Sequence, residues 1–260
     1  CFSLWQNNLQ KEHILVIPEV DVKRMQKNPF LSGFLHAIDH TFNVSIVEHY
    51  EGPSIAVHKS FFLSVNPSDF HALRDGVLST RGKASLSCHQ SNNNGPRVVI
   101  LDRKGSRSMK DSQGMSQHIE SAIWPDNKTV PHVSVSYFEG KSFEDQVDIF
   151  ASADILISPH GAQLTGVPFM PYCGSVLELF PESYFWPAYF GSLAASSGLV
   201  YSYLYLGTGN EQVIDRDSSI KGKIIRSTKR RIRMCPPIER VIDAIRILAE
   251  EWRSCCNKTK

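Results

Sequence analysis

Short apolar runs alternate with amphipathic stretches along most of this chain. Residues 13–17 (His-Ile-Leu-Val-Ile) read as a buried strand closed by Pro18. Over residues 29–42, Phe30, Leu31, Phe34, Leu35 and Ile38 recur at helical spacing and predict an amphipathic helix. Strands are expected at 44–47 and, once or twice more, within 54–65. Residues 89–96 gather Asn, Gly and Pro without an apolar side chain, so a linker and a domain boundary are placed there.

The pattern is more regular beyond that point. Strands are predicted at 97–101, 133–136, 155–157, 175–179 and 199–205. Helices are predicted at 111–122, 142–152, 161–170 and 187–197. In the second of these helices Phe143, Val147 and Phe150 share a face, Ser142 is the expected N-cap and Asp145 holds the third position. These βα repeats predict an α/β fold with a doubly wound parallel sheet. A last amphipathic helix runs over 237–252, through Ile238, Val241, Ile245, Leu248 and Trp252. The expected units are 1–94, an incomplete first α/β domain; 95–206, a Rossmann-like nucleotide-binding domain; and 207–260, a basic loop and C-terminal helix.

Composition narrows the function classes. Of 260 residues, 42% are hydrophobic and 21% charged, which excludes disorder and collagen-like architecture. With 28 basic against 26 acidic side chains the net charge is only +2, too little to point to a nucleic-acid partner. No apolar run is long enough to span a membrane. The chain begins at Cys1 without a leader-like segment and reads as a processed chain or fragment. Six cysteines include no CxxC pair; either Cys255 or Cys256 reaches Cys235 as a disulfide partner, or some of the cysteines stay free. Glycosylation sequons at Asn43, Asn127 and Asn257 favour a secretory compartment.

Three segments carry candidate chemistry. The run Ala153–Thr165 leads a buried strand into His160-Gly161-Ala162 and then a helix. That order brings backbone N–H groups to a strand's carboxyl end, where an anion is favoured; a plain structural turn is the competing reading. The second segment, Leu101-Asp102-Arg103-Lys104-Gly105-Ser106-Arg107, follows the first strand of the second block. Its arginines either grip a diphosphate or lie on a solvated loop. Third, Glu178 stands in an otherwise apolar strand, where it either accepts from ribose hydroxyls or pairs with a structural partner. The basic run Lys229–Arg233 either contacts phosphate or forms a solvated loop. Asp215 and Asp217 have metal-pair spacing but sit in a polar loop, and the His36/His40 pair lacks a third ligand.

Taken together, these motifs resemble the C-terminal domain of glycosyltransferase family 61, which includes plant xylosyl- and arabinosyltransferases and animal protein O-GlcNAc transferase relatives. The likeness spans Arg97 to Tyr201 and rests on Ile100–Arg103, Ser142–Val147, Ala153–Thr165, Phe169–Pro171 and Val176–Pro181. Residues 13–88 fit the second half of the family's N-terminal domain loosely. The resemblance implies a GT-B architecture, two Rossmann-like domains facing a cleft. It implies an inverting transfer of xylose, arabinose or GlcNAc from a UDP-sugar to a glycan or glycoprotein hydroxyl, without a metal or other cofactor. The implied setting is the Golgi or endoplasmic reticulum lumen, with any membrane anchor upstream.

Carried over by motif, the donor-binding residues are Arg103, Arg107, Ser158, His160, Gly161, Ala162, Gln163, Leu164 and Glu178. No catalytic residue is assigned, because the family's N-terminal His-Asp motif has no counterpart here. Two departures stand out: Asp111 replaces an asparagine, and Gln163-Leu164-Thr165-Gly166 replaces Gly-Leu-Thr-Asn. A negative charge at Asp111 is expected to weaken phosphate binding. A non-catalytic nucleotide- or glycan-binding relative is the alternative reading.

Overall fold

The computed structural model describes residues 13–16, 27–42, 44–47, 67–84, 95–125, 132–207 and 228–258. Strand β1 (His13–Val16), helix α1 (Pro29–Phe42) and strand β2 (Val44–Val47) form a βαβ unit whose two strands pair in parallel. Helix α2 spans Pro67–Ser79. The strands expected within 54–65 lie outside the described residues, as does most of the 89–96 linker.

The remaining elements are β3 (Val98–Asp102), α3 (Ser112–Ile123), β4 (Val133–Tyr137), α4 (Phe143–Ala151) and β5 (Ile155–Pro159). A 3₁₀ helix (Ala162–Phe169), β6 (Ser175–Phe180), α5 (Pro187–Ser196), β7 (Val200–Tyr205) and α6 (Ile238–Lys258) complete them. Strands β3 to β7 make one all-parallel sheet in the order β4-β3-β5-β6-β7. Every residue of β3, β5 and β6 is buried, as strands covered on both faces must be. The order reverses between β3 and β5, so the ligand crevice of such a sheet is expected outside the carboxyl ends of these two strands.

Alternate side chains feed two cores. Val99, Leu101, Leu156 and Val176 pack on one face against α1, α2, α4, the 3₁₀ helix and α5. Val98, Ile100, Ile155, Ile157, Leu177 and Leu179 pack on the other against α3 and α6. Fully burying one such aliphatic side chain contributes about 1.5–3 kcal/mol. Ala37 and Ile38 of α1 and Phe70, Leu73 and Val77 of α2 belong to the first core. The boundary drawn at 94/95 therefore does not separate independent cores among the described residues.

Helix α4 starts where Ser142 caps it: Ser142 Oγ accepts from Asp145 N, and Asp145 returns a bond to Ser142 N. Helix α2 escaped the sequence reading although Pro67, Phe70, Leu73 and Val77 have the right spacing. The buried Arg74 interrupts its apolar stripe, with Nη1 donating to Met170 O at 2.9 Å. Helix α6 runs six residues past its expected end at Trp252. Its last turns are held by the Cys173–Cys255 disulfide, which closes a sequence separation of 82 residues and contributes roughly 3–5 kcal/mol. Cys256 is disulfide-bonded as well, whereas Cys235 is free and exposed. The expected pairing with Cys235 is thus not made. Cys235 follows Met234, which is bridged to Met109, while Cys255 faces the turn before β6.

The segment 161–170 is a 3₁₀ helix, not the α-helix its pattern predicts. Pro168 lies inside it and offers no N–H, so an i→i−4 ladder is broken at that residue. A mid-helix Gly166 lets the backbone abut the Phe150 ring, where no side chain fits.

Candidate functional site

The carboxyl end of β3 opens into the loop that carries both arginines. Asp102, buried at that end, accepts from Met109 N at 2.9 Å and ties the loop's exit to its entry. Gly105 (φ 88°) and Arg107 (φ 59°) both take left-handed backbone, and Ser108 closes the turn by donating from Oγ to Gly105 O at 2.8 Å. That conformation is natural for glycine and costs a side-chain-bearing residue about 1–2 kcal/mol. Its effect is to turn Arg107 inward, where only 3% of the residue is exposed.

Next to this loop, β5 delivers His160 and Gly161. A Cβ placed at Gly161 would lie 2.7 Å from Arg103 Nη1 and 3.4 Å from Arg107 Nη2. Gly161 has a positive φ (159°, with ψ 172°), backbone that residues with a Cβ rarely adopt, so conformation and close approach both demand glycine there. Ala162, exposed, continues the rim. The sheet thus brings Arg103, Arg107, His160, Gly161 and Ala162 together at the crevice.

Both guanidiniums border Gly161; the Arg103 charge acts on Arg107, and the Glu139 and Asp102 carboxylates act on Arg103. Arg103 Nε and Arg107 Nε are buried and have no hydrogen-bond partner among the described residues. Burial pushes Arg107 down to about 10, and the Arg103 charge pushes the same way; Tyr184 opposes both, and Arg230 adds to the lowering. Arg103 is lowered too, by burial first, with Glu139 opposing and Arg230 reinforcing. Arg107 Cζ stands 5.4 Å from the centre of the Tyr184 ring, a cation–π contact. Uncompensated buried cations are costly, and an anion in the crevice would remove that cost.

His160 is fixed from behind. Its Nδ1 is 2.6 Å from Glu178 Oε1, and its ring stacks on Phe180 and meets Tyr184 edge-on at 5.3 Å. Tyr201 donates its hydroxyl to Glu178 Oε2 at 2.6 Å. Burial and the Glu178 charge push the Tyr201 phenol up, so it remains a donor. Both Glu178 oxygens are therefore committed inside the protein, and the residue is wholly buried. Geometry gives Glu178 the task of orienting His160, the structural-partner reading that its apolar strand left open. With Glu178 accepting, His160 holds its proton on Nδ1 and turns Nε2 away from the carboxylate.

Ser158, Gln163 and Leu164 lie one layer deeper. Gln163 Nε2 donates to Leu101 O at 3.0 Å and to Ser158 Oγ at 2.6 Å, stitching the end of β3 to the end of β5. Ser158 and Leu164 are fully buried. Asp111 is not aimed at the crevice: its carboxylate caps α3, accepting from Gly114 N at 2.7 Å. An acidic cap suits the positive end of that helix. Tyr184 and Tyr201 were missed from sequence, because strand-end and loop tyrosines look like ordinary packing residues until the chain closes around His160 and Glu178.

Among the described residues no helix is long and apolar enough to cross a membrane, and no group of three or more His, Cys, Asp or Glu could hold a metal ion. His36 and His40 are exposed with ring centres 6.5 Å apart, and Asp215 and Asp217 lie outside the described residues. In comparison with known families, the model described as Glycosyltransferase 61 matches residues 12–177. No curated protein matches the chain. The family match takes in both arginines and the His160–Gly161 turn and ends just before Glu178.

Proposed function

The chain belongs to glycosyltransferase family 61, and from that premise we propose that its crevice binds the diphosphate of a UDP-sugar. The observation that carries this reading is the buried Arg107 and the half-buried Arg103, whose buried Nε atoms have no partner among the described residues, beside the Cβ-free wall of Gly161. Planar guanidiniums grip phosphate through paired hydrogen bonds and need no metal to offset its charge. His160, steadied by Glu178, presents Nε2 as one further polar contact. Ser158, Gln163 and Leu164 keep the two strand ends in register beneath the ligand.

The reaction would be an inverting transfer: an acceptor hydroxyl attacks the anomeric carbon in line, the sugar–phosphate bond breaks, and UDP departs. Fixed cations at the leaving diphosphate stabilise charge as it develops. The acceptor's proton goes to a base that none of the residues named here supplies. Xylose, arabinose or GlcNAc is the proposed donor sugar, and a glycan or glycoprotein hydroxyl the acceptor. A GT-B pairing of two Rossmann-like units is proposed from the parallel β1–β2 unit beside the five-stranded sheet. The Golgi or endoplasmic reticulum lumen is the proposed compartment, supported by the Cys173–Cys255 disulfide and the three sequons.

Titration calorimetry with UDP, followed by transfer assays over a panel of UDP-sugars, tests the reading. Saturable UDP binding and turnover of one donor are expected. Absent UDP binding overturns it, and binding without turnover in the full-length protein assigns the non-catalytic alternative.

A further inference from the structure

The basic segment near the C-terminus does not lie free. Met234 forms a parallel bridge with Met109, its N–H donating to Ser108 O and its carbonyl accepting from Lys110 N, both at 2.8 Å. Arg233 Nη2 donates to Met109 O and Lys110 O at 3.2 Å. At the other end, Lys229 Nζ pairs with Glu182 Oε2 at 2.7 Å, just after β6 and two residues before Tyr184. Residues 229–234 are thus strapped between the arginine loop and the β6 loop, the two walls of the crevice. Arg230 lies between those anchors, with an exposed side chain.

Resting on the diphosphate reading above, we infer that Arg230 is a third phosphate-binding guanidinium, delivered by the strap and matched to the second phosphate of a diphosphate. The charge count gives its purpose. A departing diphosphate carries about one more negative charge than the sugar ester it came from, because its terminal phosphate regains a second ionisation. Arg103 and Arg107 both approach Gly161 and so form one cationic side of the crevice. A third guanidinium reaching over from the strap balances the additional charge of the leaving group, which favours the transition state over the bound donor. Burial depresses both Arg103 and Arg107, the Arg103 charge adds to the lowering of Arg107, and the Arg230 charge adds to both. An arriving polyanion turns the same proximity into attraction. An exposed residue on a flexible stem can wait in water until then, at little cost to the fold.

Titration calorimetry of the intact protein with inorganic pyrophosphate, inorganic phosphate and UDP tests this. Arg230→Ala should weaken pyrophosphate and UDP at least tenfold, change phosphate less than twofold and leave the melting temperature unchanged. Arg230→Lys should recover part of the loss, since it keeps the charge but not the paired donors. Lys229→Ala, which frees one anchor, should weaken pyrophosphate by a smaller factor. Equal pyrophosphate affinity in wild type and Arg230→Ala overturns the inference, as does an equal loss for phosphate and pyrophosphate. Wild type that binds pyrophosphate through Arg230 but ignores UDP leaves this inference standing and removes the nucleotide reading. Wild type that binds neither removes both.

Discussion

The two ends of strands β3 and β5 treat arginine in opposite ways. At the amino end, Arg97 gives Asp154 a two-pronged contact, Nε to Oδ2 at 2.8 Å and Nη2 to Oδ1 at 2.9 Å. Arg97 N also donates to Asp154 Oδ2 at 2.9 Å. At the carboxyl end, the Nε atoms of Arg103 and Arg107 have no hydrogen-bond partner among the described residues. One end matches its charge and serves the fold. The other leaves two buried Nε atoms without a partner among the described residues, the contrast on which the proposed diphosphate site rests.

Closing the open end should have the largest effect. Gly161→Val puts a branched side chain where Arg103 Nη1 stands 2.7 Å from the Cβ position. UDP binding should fall more than a hundredfold, and the melting temperature should drop as well, since φ 159° with ψ 172° is backbone that a β-branched residue rarely adopts. Calorimetry and thermal melting on one sample check this. A stable variant with wild-type UDP affinity would end the assignment of this crevice.

Breaking the matched end should do the reverse. Asp154→Ala strands the Arg97 guanidinium and an N–H at the entry to β3. Arg97 keeps some exposure and can turn toward water, so the expected loss is about 2–3 kcal/mol of stability, below the full cost of a severed buried pair. UDP affinity should be unchanged. Chemical denaturation combined with calorimetry decides, and a selective loss of UDP binding would dissolve the distinction between the two ends.

Arg107→Met tests the open charge from the other side. It should weaken UDP by about 1.5–3 kcal/mol, the scale of a hydrogen bond to a charged group. It should not destabilise the empty protein and should raise its melting temperature. The sign follows from burial: Arg107 is pushed down to about 10. A base with a lowered folded-state value costs stability at every pH below about 10, and the cost fades only as pH climbs from there toward the ordinary arginine range. At neutral pH the penalty is fully present, so an apolar side chain of similar reach removes it. A variant that melts much earlier would mark Arg107 as structural.

The same contrast explains what the sequence shows and what it hides. Strands β3 to β7 and the capping box of α4 follow from local patterns: short apolar runs between turns, and Ser142 three residues before Asp145. The arginine loop and the His160–Gly161 turn are readable because an open α/β sheet puts its ligands at strand carboxyl ends. Pairing is not readable. Arg97 and Arg103 are both strand-end arginines in sequence, and only the fold brings Asp154, 57 residues away, to one of them. Glu178 shows the same limit. Its apolar strand signals a partnered carboxylate, but His160 and Tyr201 come from β5 and β7.

Glu178→Gln sharpens that point with a smaller effect. One of its two acceptors becomes a donor, so the contact to His160 or to Tyr201 is lost. About 1–2 kcal/mol of stability should go, with a several-fold loss of UDP affinity. Tyr201→Phe should act in the same direction, and neither change should add to His160→Ala in UDP binding if both work through that ring. Additive losses would return Glu178 to a direct ligand contact.

The smallest effect is expected at Asp111, where charge and shape can be separated. Asp111→Asn keeps the cap, since an asparagine oxygen accepts from Gly114 N as well as a carboxylate does. Stability should therefore move by less than about 0.5 kcal/mol, the part due to the charge at the helix end. Asp111→Ala removes the acceptor and should cost about 1 kcal/mol. UDP affinity should be the same in both, because the carboxylate belongs to α3 and not to the crevice. If Asp111→Asn instead tightened UDP severalfold, the Asp111 charge would reach the bound phosphates, and the acidic residue in place of the family's asparagine would be a brake on donor binding. Measuring both variants by denaturation and calorimetry tells a helix cap from a repulsive charge.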